Sequence, residues 1–374
     1  MELWWWLTAA VSILFSIATA LPLLFIDQWW CRFFDFPRLQ ILFVLSVSLV
    51  LLLAGYPGQV TPLWGGMVAL TIGSIGMQLV EIFPYMPFTH RQVRRSRQQN
   101  KDCCIKLLIY NVYMYNRKYQ NFLDLASQQQ PDVILMLETD HQWRDNVKQQ
   151  LHKDYPYCCE IPIDNTYGML MYSRFKLHNT QVRYLVEENI PSIKTEIELP
   201  GGDRTLFYGL HPTPPVPGEN TRSTERDVEL ILAGKEIAEE DRPVIVGGDL
   251  NDVAWSRTSF LFQKISGLLD PRKGRGFFNS YNSRYFFMRW PLDHVFHTKH
   301  FLMNRFSLLK HIGSDHFPIM VELQFEPENK HLQKEMKADK EDMELARQKV
   351  DRVDGVQVNI DELKAHTTNN PVDQ

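Results

Sequence analysis

Acidic, amide and imidazole side chains recur at the ends of apolar runs in this chain: Asn111, Glu138, His211, Asp249 with Asn251, Asp293 with His294, and Asp315 with His316. Leaving any one of them buried without a partner costs several kcal/mol, and grouping them around a cation removes much of that cost. Carboxylates such as Glu138 and Asp315 are hard oxygen ligands suited to Mg²⁺ or Mn²⁺, and the thiolates of a structural zinc site are missing from the set. A histidine with an ordinary pKa of about 6.5 can give or take a proton near neutrality. Taken singly, each residue has a plain reading. His211 or His294 could be a satisfied core histidine, and Glu138 a turn carboxylate. Their repetition at strand ends is what points to a site.

The elements that must position them start with Pro243-Val244-Ile245-Val246-Gly247-Gly248-Asp249-Leu250-Asn251-Asp252. The β-branched run reads as a buried strand, and the two glycines as a place where the backbone turns tightly. In extended geometry Asp249 and Asn251 face one side, while the plain alternative is a strand followed by an Asx turn. Further strands are expected at 105–112, 131–138, 168–172, 193–199, 205–210, 292–297 and 317–325, with helices at 121–130 and 219–239. Strands in runs with few helices between them argue an α+β domain of packed sheets.

With 374 residues, 44% of them hydrophobic, the chain can bury a sizeable core. A net charge of -4 excludes a global basic field for nucleic acid, though not a local basic groove. Five cysteines without CxxC spacing indicate free thiols, not a zinc site or a disulfide framework.

Residues 3–26 are almost unbroken apolar and long enough to cross a hydrocarbon core of ~30 Å. Residues 39–54 form a shorter run, suited to a tilted or re-entrant element, and 63–83 a third run rich in glycine. The expected organisation is a membrane region of about three transmembrane helices at 1–88, a basic linker at 89–103, a catalytic-type domain at 104–326 and a charged, partly helical or disordered tail at 327–374. The tail reads as a solvated helix over about 330–353 with disorder beyond. Arg32, Arg38 and the 91–97 arginines place the large domain in the cytoplasm by the positive-inside rule. The segments Arg272-Lys273-Gly274-Arg275-Gly276 and 285–290 fit a nucleic-acid groove, a lipid contact or simple loop packing.

Tyr110-Asn111, Leu137-Glu138-Thr139, His211, Gly247-Gly248-Asp249-Leu250-Asn251, Leu292-Asp293-His294 and Ser314-Asp315-His316-Phe317-Pro318 together resemble the ordered motif set of the endonuclease/exonuclease/phosphatase superfamily. The resemblance runs over about 104–325, and the segment before it is similar to bacterial membrane-anchored members. It implies a four-layer α/β sandwich of the deoxyribonuclease I-like kind, preceded by the transmembrane helical region. It further implies a hydrolase acting on phosphate ester bonds with Mg²⁺ or Mn²⁺. Under it, Glu138 binds the metal with Asn111 and Asp315 close by. Asp249 and Asn251 position the attacking water and the phosphate, His316 exchanges a proton while oriented by Asp293, and His211 donates to a phosphoryl oxygen. It leaves open whether Asp249 or His316 is the base and whether His294 supports them from behind. The implied partners are a nucleic acid or a phospholipid or inositol phosphate as substrate, and the lipid bilayer, with no obligate protein partner evident. The implied location is the bacterial inner membrane. The alternative is a catalytically inactive membrane scaffold or receptor on the same fold.

Overall fold

A computed structural model describes residues 3–98 and 100–353. Apolar helices come first: α1 (Leu3–Ala20), the short α2 (Trp29–Arg32), α3 (Arg38–Ala54) and α4 (Pro62–Ile82). The stretches Leu3–Leu24 and Pro62–Tyr85 are each long and apolar enough to cross a membrane. The middle run is a bent pair, Trp29–Asp35 and Arg38–Ala54 meeting at 71°, and counts as a third crossing only if the pair is one span.

After the linker come β1 (Cys104–Asn111), α5 (Tyr119–Gln129), β2 (Val133–Leu137), α6 (His141–Asp154), β3 (Tyr157–Ile161) and β4 (Met169–Ser173). The second half runs β5 (Leu177–Arg183), β6 (Ser192–Glu198), β7 (Arg204–Leu210), α7 (Thr224–Ala238), β8 (Val244–Asp249), α8 (Arg257–Ser266) and β9 (Asp293–His297). The chain returns to the first sheet with β10 (Phe301–Leu308) and β11 (Ile319–Phe325), and α9 (Lys340–Val350) follows. A six-stranded sheet is ordered β10-β11-β1-β2-β4-β3 and a five-stranded sheet β5-β6-β7-β8-β9.

Period-2 alternation builds the layers. Leu107, Ile109, Val133 and Leu135 of the first sheet meet Ile193, Phe207, Ile245 and Val295 of the second in one buried cluster. Their neighbours Leu108, Tyr110, Ile134 and Met136 face outward onto Phe122, Trp143 and Val147 of α5 and α6. On the other side Leu206, Tyr208, Val244 and Val246 pack on Leu230, Ala233 and Phe262 of α7 and α8. This is the four-layer sandwich expected from the sequence.

Three strands and three helices, the short α2 among them, were not foreseen. Strands β3, β5 and β10 are all sheet edges, where one side of the ladder stays open and a polar sequence such as Leu177-His178-Asn179-Thr180-Gln181 suffices. The two glycines differ from expectation as well. Gly247 and Gly248 lie within β8, paired with Val295 and His294, and do not form a turn. A Cβ on Gly247 would come 2.5 Å from Ile109 Cδ1, and one on Gly248, at φ 155°, would come 1.9 Å from the Leu210 carbonyl oxygen. Close approach within and between the sheets, not chain reversal, demands glycine here.

The charged tail is less solvated than its composition suggests. Residues 327–332 form a 3₁₀ turn, and α9 begins only at Lys340, behind a capping box of Asp339 and Asp342. Its Ala346 and Val350 pack on Val228, Ile231 and Leu261 of α7 and α8. Buried Lys349 donates to Asp227 and to Asp27, both at 2.7 Å. Residues 354–374, where disorder was expected, lie outside the described residues.

The apolar helices are locked to the domain. Trp255 Nε1 donates to the Asp35 carbonyl at 2.7 Å, Tyr85 Oη to the Ala254 carbonyl at 2.5 Å, and Arg32 to Thr258 at 3.2 Å. Arg32 and Arg38, counted above for orientation, are both buried against Asp35. The linker is held too, with Val93 in the inter-sheet core and its carbonyl accepting from Arg275 at 2.6 Å.

Candidate active site

The sequence-predicted residues collect at one end of the sandwich because parallel strands finish where their antiparallel partners begin. Strand β1 runs parallel to β2, delivering Asn111 and then Glu138. Strand β7 runs parallel to β8, delivering His211 and Asp249. Antiparallel β9 starts opposite the end of β8, so Asp293 pairs in register with Asp249. Likewise β11 starts beside the end of β1, and the loop before it carries Asp315 and His316.

Asn111 Nδ2 donates to Glu138 Oε1 at 2.8 Å and to Asp249 Oδ2 at 3.0 Å. It joins the carboxylates of the two sheets. His316 Nδ1 lies 2.8 Å from Asp293 Oδ2, and its Nε2 3.5 Å from Asp249 Oδ2. The His316 backbone N–H donates to Ser314 Oγ at 2.9 Å, and that hydroxyl donates to the Asn111 carbonyl at 2.8 Å. The Asp293 N–H donates to Ser280 Oγ at 3.1 Å. The Tyr281 ring covers His316 at 4.9 Å between centroids.

Asn251 departs from simple alternation. Its φ of 51° is left-handed, its N–H donates to Asp249 Oδ1 at 2.9 Å, and its Nδ2 donates to the Pro212 carbonyl at 2.9 Å. The Asx turn and the polar cluster are the same structure. Glu138 is left-handed too, at φ 57°. Such conformations are costly off glycine and persist where surrounding contacts impose them. Asp315 is half-buried, its Oδ1 3.3 Å from the Ser314 hydroxyl.

His211 is buried, stacked at a tilt 5.4 Å from the Tyr167 ring, with Nδ1 lacking a partner among the described residues. Burial drops its pKa to about 4, so it is neutral at neutral pH and offers a ring N–H. For His316 burial acts in the same direction, but the carboxylates of Asp293 and Asp249 outweigh it and raise the pKa to about 10. Burial lifts the Glu138 carboxyl to about 7, opposed by the Asn111 hydrogen bond, and burial also raises Asp249.

The donor chemistry fits a small hard divalent cation. Half-buried Glu138 and buried Asp249 share one amide nitrogen between them, and desolvation makes both hard to ionise without a positive charge nearby. Asp293 Oδ1 is buried without a partner among the described residues. Ligand atoms of Asp249, Asp293 and His316 also lie within 4.8 Å of one another. Asp293 and His316 of that trio are already bonded to each other at 2.8 Å, and Glu138, Asn111 and Asp315 supply the other oxygen donors at this end of the sheets.

His294, adjacent to Asp293 in β9, points the opposite way. Its Nδ1 accepts from Arg272 at 2.7 Å and its Nε2 donates to the Asp252 carbonyl at 2.9 Å. It braces the site's far side and does not line it. Arg272, fully buried, also pairs with Asp270 at 2.8 Å. Arg272→Met is expected to destabilise the fold by about 3–5 kcal/mol because Asp270 is left as an uncompensated buried charge. Urea unfolding checks this, and a loss under about 1 kcal/mol would contradict it. Sequence reasoning also missed Arg226, whose Nη1 donates to the Asn251 carbonyl at 2.7 Å and whose Nη2 pairs with Asp252 at 3.2 Å. An arginine within a charged helical stretch gives no sign that it pins a loop.

A sequence profile of the Endonuclease/Exonuclease/phosphatase family matches residues 108–316, which contain every site residue named above. Comparison with curated protein sequences finds no match. Among solved structures, the chain is similar to D. rerio TDP2 complexed with a single-strand DNA product, at 16% identity and TM-score 0.51, over 60% of this chain and 100% of that one. Humanized D. rerio TDP2 aligns at 15% identity and TM-score 0.50, over 59% of this chain and 99% of that one. A Bacteroides thetaiotaomicron mannosyl-6-phosphatase gives 18% identity and TM-score 0.48, over 59% and 100%. The two TDP2 likenesses show the fold, and the profile match over more than half of the sequence establishes the lineage: the chain belongs to the Endonuclease/Exonuclease/phosphatase family.

Proposed function

We propose that this protein is a membrane-anchored, divalent-metal-dependent phosphoesterase that hydrolyses a phosphodiester or phosphomonoester. The observation that carries the reading is the meeting of Glu138, Asn111 and Asp249 with the Asp293–His316 pair at one end of both sheets. Residues 1–88 serve as the anchor, 104–326 as the catalytic domain on the cytoplasmic side of an inner membrane, and the docked part of the tail as a brace.

Glu138, with Asn111 and Asp315, would hold Mg²⁺ or Mn²⁺, which would supply charge neutralisation at the phosphoryl oxygens. Asp249 takes the proton of the attacking water. His316, kept as an imidazolium by Asp293, faces the developing charge and can return a proton to the leaving oxygen. Neutral His211 donates to a phosphoryl oxygen, and Asn251 shapes the turn that aims Asp249. What supports this division is that His316 lies between two carboxylates, Nδ1 2.8 Å from Asp293 Oδ2 and Nε2 3.5 Å from Asp249 Oδ2, a setting that favours the protonated ring and gives Asp249 the part of proton acceptor.

Asp293→Asn is expected to pull the His316 pKa down from about 10. The imidazolium is present below its pKa and lost above it, so the basic limb of the kcat/KM profile moves to lower pH in the variant. The rate in the plateau falls by about 10²-fold. A pH–rate profile with an unmoved basic limb would contradict the pairing.

The reading as a whole is tested with the full chain in detergent against plasmid DNA, an abasic-site duplex, phosphatidylinositol phosphates and bis-p-nitrophenyl phosphate. Cleavage that needs Mg²⁺ and stops with EDTA is expected. A folded protein that cleaves none of them would leave the scaffold alternative.

A further inference from the structure

The segment that covers His316 continues away from the site as an exposed apolar loop. Its base is fixed to the reacting residues: Ser283 N–H donates to the Asp315 carbonyl at 2.6 Å, the Ser283 hydroxyl to the Ser314 carbonyl at 2.7 Å, and Tyr281 lies on His316. Its tip carries Tyr285, Phe286, Phe287 and Met288, with 54%, 80%, 56% and 39% of their surfaces exposed. An apolar run this exposed is a liability in water and at home in a bilayer interface. The tip is tied to the apolar helix α3, where Gln40 Nε2 donates to the Phe287 carbonyl at 2.7 Å.

Between α3 and this segment runs a groove of about 790 Å³, the size of a small-molecule site. Leu39, Phe43 and Val44 form one wall, and Phe278, Phe286 and Leu308 the other. Phe43 also belongs to an outward stripe of α3 with Val47 and Val50, all exposed and spaced on one helix face. The groove is thus continuous with an exposed apolar surface of α3. Arg275 and Arg289 also line it, and Arg289 Nε is buried without a partner among the described residues. A cationic lining beside an apolar trough complements an amphiphile with an anionic head.

We infer that this groove seats the hydrocarbon chain of a membrane-borne phosphoester, so that the substrate enters the site from the lipid side with Arg289 facing its phosphate. The inference deepens the proposed function and rests on it for the fate of the phosphate. The binding of the chain stands on the groove, the stripe and the loop alone.

The test uses the full chain in vesicles of phosphatidylethanolamine and phosphatidylglycerol carrying phosphatidic acid with a diazirine on its acyl chain. After irradiation, label is expected in α3 near Phe43 and in the 276–289 segment, in excess of that on lipid-facing α1. Val44→Trp, which fills the groove, is expected to cut that label by about tenfold and leave the α1 label as an internal control. The ratio of activity on vesicle-borne to soluble phosphoester is expected to fall by about tenfold in Val44→Trp and in the exposed-tip variant Phe286→Asp/Phe287→Asp. Label spread evenly over the apolar helices, or a groove label unaffected by Val44→Trp, would overturn the inference. So would a single-stranded DNA oligonucleotide or a second copy of the chain occupying the groove in place of the lipid. A labelled groove in a protein inert toward every ester would sink the phosphoesterase and leave the lipid site standing.

Discussion

Asp249→Asn is expected to lower kcat/KM for phosphate-ester hydrolysis by about 10³-fold while leaving the protein folded. Asp249 sits where both sheets meet. One of its oxygens holds the turn N–H of Asn251, and the other faces Asn111 and the His316 ring. The amide is nearly isosteric and can keep the turn hydrogen bond, but it cannot accept the proton of water. Burial and the Asp293 charge already raise the pKa of Asp249, so its anion is held against a desolvation cost. Removing that charge therefore leaves the melting temperature unchanged or higher. Loss of rate without loss of stability separates a chemical role from a structural one, and a variant that retains more than about a tenth of the activity would take the base away from Asp249.

Glu138→Gln is expected to remove the response to metal. In the wild-type chain a saturating divalent cation raises the melting temperature, by about 2.7 kcal/mol of stability when the cation is at a hundred times its dissociation constant. The variant shows no such rise, and its rate falls by about 10³-fold with the lost charge neutralisation. Because burial brings the Glu138 carboxyl to about 7, cation and proton compete for it near neutrality. Apparent Mg²⁺ affinity is therefore weaker below that pH and stronger above it. Thermal melts across a Mg²⁺ series at several pH values measure both effects, and a pH-independent affinity would point to other ligands.

The strand ends were readable because β1, β2, β7 and β8 are buried on both faces and so are written as nearly continuous apolar runs. A polar residue closing such a run stands out. The edge strands had no such signature, since β3 and β5 keep much of their surface half-buried. Residues that position the site were hidden for another reason. Arg226 and Ser280 act through contacts with residues distant in sequence, and nothing in their own neighbourhood marks them. The tail illustrates the same limit: Lys349 reads as one charge among many until Asp27, from between the first apolar helices, and Asp227, from α7, are placed beside it. His294 had the inverse problem, standing next to Asp293 in sequence and facing away from it in the strand.

The most direct test of the central claim is hydrolysis of bis-p-nitrophenyl phosphate by the full chain with Mg²⁺ in water enriched in heavy oxygen. The account predicts one heavy oxygen in the phosphorus-containing product, none in the nitrophenol, and no turnover by Asp249→Asn above the EDTA background. Heavy oxygen in the nitrophenol, or turnover indifferent to both Mg²⁺ and Asp249, would contradict it.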